Sequence, residues 1–136
     1  MAEPVRVLFV DDEVELVSAV VERLGLRGIV AEGVTSGAEA LSRVETEPFD
    51  VLVVDVRMPG IGGLDVVQKV KQSHPRIEVV LVSGHGSLQD AEAGMAMGAF
   101  DYLQKPVEID ALLDVIQRAA EKTRGEVLSD LSTRQH

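Results

Sequence analysis

Five polar side chains in this 136-residue sequence have the types and placement to act as one chemical unit. Asp11 and Asp12 follow the apolar run Val7–Val10, and Asp55 follows Val51–Val54. Ser83 and Gly84 follow Val79–Val82, and Lys105, then Pro106, follows the weaker run Phe100–Leu103. Polar residues often end strands, so each position alone says little; three carboxylates, a hydroxyl and an ammonium on one edge say much more. Carboxylates converging at ~5 Å repel by on the order of 3 kcal/mol per pair at an effective dielectric of about 20. A hard divalent cation and the Lys105 ammonium relieve that repulsion, and oxygen donors without histidine or cysteine suit Mg²⁺ or Mn²⁺. Magnesium keeps several waters and accepts phosphate oxygens, which points to phosphoryl chemistry. Asp55 is then either a metal ligand or a nucleophile that takes a phosphoryl group as an acyl phosphate. Such a transfer asks for positioning and charge neutralisation, which Lys105 and the Ser83 hydroxyl can supply.

The elements that must position these groups are legible as two alternating patterns. Strand-like runs cover Val5–Val10, Ile29–Gly33, Phe49–Val54, Glu78–Val82 and Phe100–Leu103, the second and fifth weakly. Between them, apolar residues recur at helical spacing: Val14, Val17, Val21 and Leu24; Ala38, Leu41 and Val44; Leu64, Val67 and Val70; Ile109, Leu112, Leu113 and Ile116. Leu88–Met97 also reads as a helix, weakened by about 1 kcal/mol at Gly94. Continuously apolar strands are covered on both faces, and five strand–helix units predict a doubly wound α/β fold with a five-stranded parallel sheet and five helices. In such a sheet, function gathers at the carboxyl ends of the strands.

Composition bounds the remaining choices. The length suits one domain, spanning residues 4–122, with the polar stretch 123–136 as a tail or the start of a linker. Thirteen basic against 23 acidic residues leave a net charge of −10, which argues against direct nucleic-acid binding or an anionic membrane surface. There is no cysteine, so disulfides, thiolate zinc sites and cysteine nucleophiles are excluded. No early apolar run is long enough for a signal peptide or a membrane span. The expected compartment is cytoplasmic.

Four blocks together resemble the receiver domain of two-component response regulators. They are Val7-Leu8-Phe9-Val10-Asp11-Asp12-Glu13; Asp55-Val56-Arg57-Met58-Pro59, with Gly63 eight residues past the aspartate; Val82-Ser83-Gly84; and Gly98-Ala99-Phe100-Asp101-Tyr102-Leu103-Gln104-Lys105-Pro106. Within that family, Asp55–Gly60 and Ser83-Gly84-His85-Gly86 look most like receivers of sigma-54-dependent transcription activators. The resemblance implies a flavodoxin-like strand order of 2-1-3-4-5 and a cis Lys105–Pro106 bond. It implies that Asp55 accepts the phosphoryl group from a sensor histidine kinase, in a Mg²⁺-dependent reaction that the receiver itself catalyses. Asp12 would bind the metal directly, Asp11 mostly through water, and the Arg57 carbonyl would be a further ligand. Lys105 and Ser83 would contact the phosphoryl oxygens, and Tyr102 would be the aromatic switch. Gly62 departs from the family, where many relatives carry Asp or Asn, and predicts a looser loop after Asp55. The resemblance also favours an output domain beyond this chain that regulates transcription, with a receiver that works alone through protein contacts as the alternative.

Plainer readings stand beside these. Asp11 and Asp12 could be helix caps, Asp55 a turn former, Ser83-Gly84 a turn, Lys105 a solvated charge and Tyr102 core packing. His85 is read as a loop residue near the site, and Met95 and Met97 as packing. A rival reading of the whole cluster is a stand-alone Mg²⁺-dependent phosphohydrolase with an aspartyl nucleophile. Against it, the aspartates after the first strand are adjacent rather than Asp-x-Asp, and there is no cap segment. Whether the chain is an enzyme in the ordinary sense stays open, since it would act only on its own phosphoryl group. Finally, Ile109, Leu113, Ile116, Ala120, Thr123 and Val127 are spaced four, three, four, three and four, as in a two-helix seam. That spacing predicts a homodimer through helix 4, strand 5 and helix 5, with packing on the sheet as the alternative.

Overall fold

The computed structural model describes residues 3–84 and 88–134, with side chains for 3–84 and 88–125. The chain alternates strand and helix throughout: β1 Arg6–Val10, α1 Val14–Leu26, β2 Val30–Val34, α2 Gly37–Thr46, β3 Val51–Asp55, α3 Gly63–Ser73, β4 Glu78–Ser83, α4 Leu88–Ala96, β5 Asp101–Gln104 and α5 Ile109–Arg134. All neighbouring strands are parallel, in the order β2-β1-β3-β4-β5. This is the doubly wound fold expected from the sequence. No helix among the described residues is long and apolar enough to cross a membrane.

The strands serve two cores because successive side chains point to opposite faces. Leu8, Val10, Leu52, Val54, Val79 and Leu81 form one face, covered by Val44 of α2 and by Val66, Val67 and Val70 of α3. Val7, Phe9, Val51, Val53, Val80 and Val82 form the other, covered by Val17, Val20 and Leu24 of α1 and by Leu112, Val115 and Ile116 of α5. Burying each such side chain is worth roughly 1.5–3 kcal/mol, and the central strands bury nearly all of theirs. The strands that read weakly in the sequence, β2 and β5, are the two sheet edges and are largely half-buried. An edge strand needs less apolar surface, which is why its pattern is diluted.

Helix α5 accounts for the seam-like spacing in another way. Ile116, Ala120 and Thr123 are buried within the protein, so a seam through those positions is not available to a second chain. Ile109 and Leu113 pack partly buried against the same core, and the Val127 side chain lies outside the described residues. The helix continues past Lys122, and two of the residues expected in a tail are fixed to the body of the domain. Thr123 Oγ1 donates to the Asp50 carbonyl at 3.0 Å, and Arg124 Nη2 donates to the Pro4 carbonyl at 3.0 Å. Met95 and Met97 are exposed rather than packed, because α4 faces the sheet only through Ala91 and Gly94.

The loop after β3 is drawn tight where Gly62 predicted slack. Gly63 N–H donates to the Val56 carbonyl at 2.9 Å, and a Cβ on Gly63 would lie 2.5 Å from the Asp55 carbonyl oxygen and 2.8 Å from the Val56 Cα. Gly62 is the N-cap of α3 and makes no side-chain cap bond, so the close approach at Gly63 holds the loop instead. Gly63→Ala is therefore expected to destabilise the fold by about 1–3 kcal/mol through a clash with backbone that cannot yield cheaply. Gly25→Ala, at a helical position with nothing within 4 Å of the new Cβ, is expected to stabilise by about 0.5 kcal/mol. Urea unfolding of the two variants checks both signs.

Candidate functional site

Parallel register carries the polar groups to one edge. Val10 pairs with Val54, Asp55 with Val82, and Ser83 with Gln104, so the residues that end β1, β3, β4 and β5 lie side by side. Asp11 is fully buried, Asp55 nearly so, and Asp12 is exposed. One carboxylate oxygen from each of the three falls within 4.8 Å of the others. Backbone amides fix two of the groups. Asp11 Oδ1 accepts from Glu13 N–H at 2.9 Å, and Asp55 Oδ1 accepts from Arg57 N–H at 3.3 Å. Asp11 thus serves as a local turn former as well as a member of the cluster, but Glu13, not an aspartate, is the N-cap of α1.

Lys105 reaches back into this cluster from β5, where the Lys105–Pro106 peptide is cis, as expected. Its Nζ donates to Asp55 Oδ2 at 3.2 Å and forms an ion pair with Asp11 Oδ2 at 2.9 Å. The Asp11 contact is a close ion pair without a well-aligned hydrogen bond. The sequence placed Lys105 among the three carboxylates; the structure pairs it with two of them, Asp11 and Asp55. The electrostatics follow from burial. Desolvation is the largest influence on Asp55 and pushes its carboxyl above the usual carboxylate range. Lys105 pulls it back, the Asp11 charge pushes it further up, and Arg57 N–H helps to lower it. Burial also works to lower the Lys105 ammonium, but Asp11 and Asp55 together outweigh burial and hold it above its ordinary value.

The other expected site residues are placed as follows. Ser83 is buried at the carboxyl end of β4, and among the described residues its Oγ has no hydrogen-bond partner. A buried hydroxyl left without a partner would cost about 1–3 kcal/mol. Arg57 enters the cluster through its backbone only; its side chain turns away to Asp90 of α4, Nε to Oδ2 at 3.1 Å. Tyr102 lies in β5 opposite Leu81, half-buried and packed against the α3 side of the core, three residues before Lys105. His85 lies outside the described residues. Asp90 was not singled out in the sequence, and no local signal could have found it, because its partner is 33 residues away.

The donor set is compatible with a hard divalent cation: three carboxylates on adjacent strand ends, with no histidine or cysteine among them. The arrangement can neutralise added negative charge through Lys105, accept a group on Asp55, and offer the Ser83 hydroxyl to an incoming oxygen.

Known proteins share both the sequence and this fold. The chain is 36% identical over 114 residues to the DNA-binding transcriptional regulator NtrC of Escherichia coli, covering 83% of this chain and 24% of that protein. It is 38% identical over 117 residues to the response regulator protein PilR of Pseudomonas aeruginosa, covering 84% of this chain and 26% of that protein. The chain thus spans about a quarter of the length of these curated relatives. Among solved structures, a response regulator receiver domain protein from Clostridium thermocellum superposes with a TM-score of 0.84 at 31% identity, covering 91% of this chain and 98% of that one. Residues 7–117 match the family described as the response regulator receiver domain, and the chain belongs to that family.

Proposed function

We propose that this chain is a phosphorylation-operated switch whose phosphoacceptor is Asp55. The observation that carries the reading is the shared ammonium: Lys105 lies 2.9 Å from Asp11 and 3.2 Å from Asp55, between two desolvated carboxylates. Asp11, Asp12 and Asp55, with the Arg57 carbonyl, would hold Mg²⁺, which supplies charge neutralisation for the phosphoryl oxygens. In the transfer, the phosphorus–nitrogen bond of a kinase phosphohistidine breaks as a phosphorus–oxygen bond to an Asp55 carboxylate oxygen forms, and the imidazole leaves. Lys105 answers the charge of the incoming group, and the buried Ser83 Oγ donates a hydrogen bond to it. The phosphoryl group carries roughly −1.5 to −2 charges, in place of the single charge of an ionised Asp55 carboxylate. Tyr102 turns inward as Ser83 and Lys105 are drawn to that charge, and the surface of α4, β5 and α5 changes.

The same reading places a receiver domain at 4–122 and an output domain that regulates transcription beyond the continuing helix α5, whose Thr123 and Arg124 are still bonded to the body of the domain. It also places the protein in the cytoplasm. Self-association through α4, β5 and α5 is supported by Leu88, Met95 and Met97, which are exposed on and next to α4. Sedimentation with and without beryllofluoride is expected to show a shift from monomer to dimer; a monomer in both states removes this part of the proposal.

Acetyl phosphate with Mg²⁺ is expected to add one phosphoryl group to the wild type and none to Asp55→Asn, read by intact mass. Asp12→Ala is expected to fold normally and to lose most of the metal-dependent labelling. Labelling of Asp55→Asn at the wild-type level defeats the assignment, and steady turnover of small phosphomonoesters would instead favour the phosphohydrolase.

Stability should report the same charge conflict. Because the folded state holds the Asp55 carboxyl above its unfolded value, the unfolded chain ionises first as pH rises. Stability is therefore lost between the ordinary carboxylate range and the raised folded value, and it stays lost at neutral pH. Asp55→Asn is expected to raise the melting temperature by a few degrees at neutral pH without metal, and by nothing at acid pH, where both states are protonated. Mg²⁺ stabilises whatever binds it by mass action, so adding it is expected to narrow the gap by raising the wild type more.

A further inference from the structure

Helix α4 is attached to the protein unevenly. Its middle approaches the sheet closely at Gly94, where a Cβ would lie 2.2 Å from Leu81 Cδ1 and 3.2 Å from Leu64 Cδ2. Its carboxyl end is closed by backbone bonds, with Gly98 N–H to the Met95 carbonyl at 3.1 Å and Ala99 N–H to the Gly94 carbonyl at 3.0 Å. Gly98 makes that turn at φ +112° and sits over the Lys71 side chain, which is itself bonded to the Pro75 and Ile77 carbonyls and to Glu78. The amino-terminal turn has no comparable anchor among the described residues. Leu88 is exposed, and the helix buries only the small residues Ala91 and Gly94.

What ties that first turn to the site is an ion pair at the surface. Asp90 Oδ2 accepts from Arg57 Nε at 3.1 Å, with the two side chains 37% and 69% exposed. The pair crosses a groove of about 560 Å³ floored by Val56, Met58, Pro59 and Leu64. Arg57 also donates its backbone N–H to Asp55 Oδ1. One residue therefore holds the phosphoacceptor with its main chain and α4 with its side chain.

We propose that the Arg57–Asp90 ion pair is a releasable latch that holds the first turn of α4 against the loop after Asp55, and that Asp90 is a positioning residue acting through Arg57. This rests on the reading of Asp55 as phosphoacceptor. An exposed pair is weak and screened by salt. That weakness suits a latch: losing it shifts a balance between two arrangements without unfolding either. Charge added at Asp55 gives the Arg57 guanidinium a second anion to answer and draws it from Asp90.

Amide hydrogen exchange on the full chain tests the latch without any phosphoryl donor. In Asp90→Ala, the first-turn amides of α4 are expected to exchange about two- to fivefold faster than in wild type, with β4 and α5 unchanged. Arg57→Ala/Asp90→Ala is expected to be no faster than Asp90→Ala, and Asp90→Glu to restore the wild-type rate. About 0.5 M NaCl is expected to bring the wild type to the variant rate and to leave the variant unmoved. The beryllofluoride midpoint with Mg²⁺ is expected to fall by about two- to fivefold in Asp90→Ala. Additive effects of the two substitutions, or salt-insensitive exchange, overturn the latch. Faster exchange with an unchanged midpoint removes its role in the switch. A wild type that does not respond to beryllofluoride defeats the phosphoacceptor reading, while the exchange data still decide whether the latch exists.

Discussion

Two carboxylates held close together out of water would drive the strand ends apart, and most of the site follows from how this protein avoids that. Asp11 and Asp55 are brought together by the pairing of β1 with β3, which the apolar core enforces. Neither can move away without breaking that register. The ammonium of Lys105 must therefore come to them, and it does so from the far edge of the sheet across β4. The compensation is incomplete: the Asp55 carboxyl remains above its usual range despite the nearby cation. A carboxylate pair left short of positive charge is compatible with a cation, and the buried Ser83 hydroxyl, without a partner among the described residues, can donate to an acceptor oxygen.

The opposite end of the sheet is built for rigidity. Lys71 Nζ meets the buried carboxylate of Glu78 at 3.1 Å and two backbone carbonyls as well, tying α3 to the start of β4. Asp50 Oδ2 accepts from Arg6 N–H and from Arg124, and so ties the start of β1 to α5. These contacts fix the amino ends of the strands. The carboxyl ends hold the charged cluster and the loosely held first turn of α4.

Much of this was legible in the residues themselves. Alternating strand and helix periods identified the five units, and the polar residue after each apolar run identified Asp11, Asp12, Asp55, Ser83 and Lys105, because a strand end is a local feature with a local signal. The same local reading failed where one pattern served two purposes. The spacing of Ile116, Ala120 and Thr123 suits a coiled seam and a sheet-facing helix equally, and only their burial separates the two. Met95 and Met97 read as packing, yet α4 meets the sheet through its small residues and leaves both methionines outside.

The sequence by itself determined the order of elements, the two-faced core of the central strands and the identity of the clustered side chains, since periodicity and residue chemistry act over a few positions. Tertiary structure alone decided that Lys105 is shared between Asp11 and Asp55, that Ser83 Oγ is buried without a partner among the described residues, and that Arg57 reaches Asp90. Those facts depend on distances between residues tens of positions apart. Such distances are set by strand register and helix packing, and no local pattern of residue types encodes them.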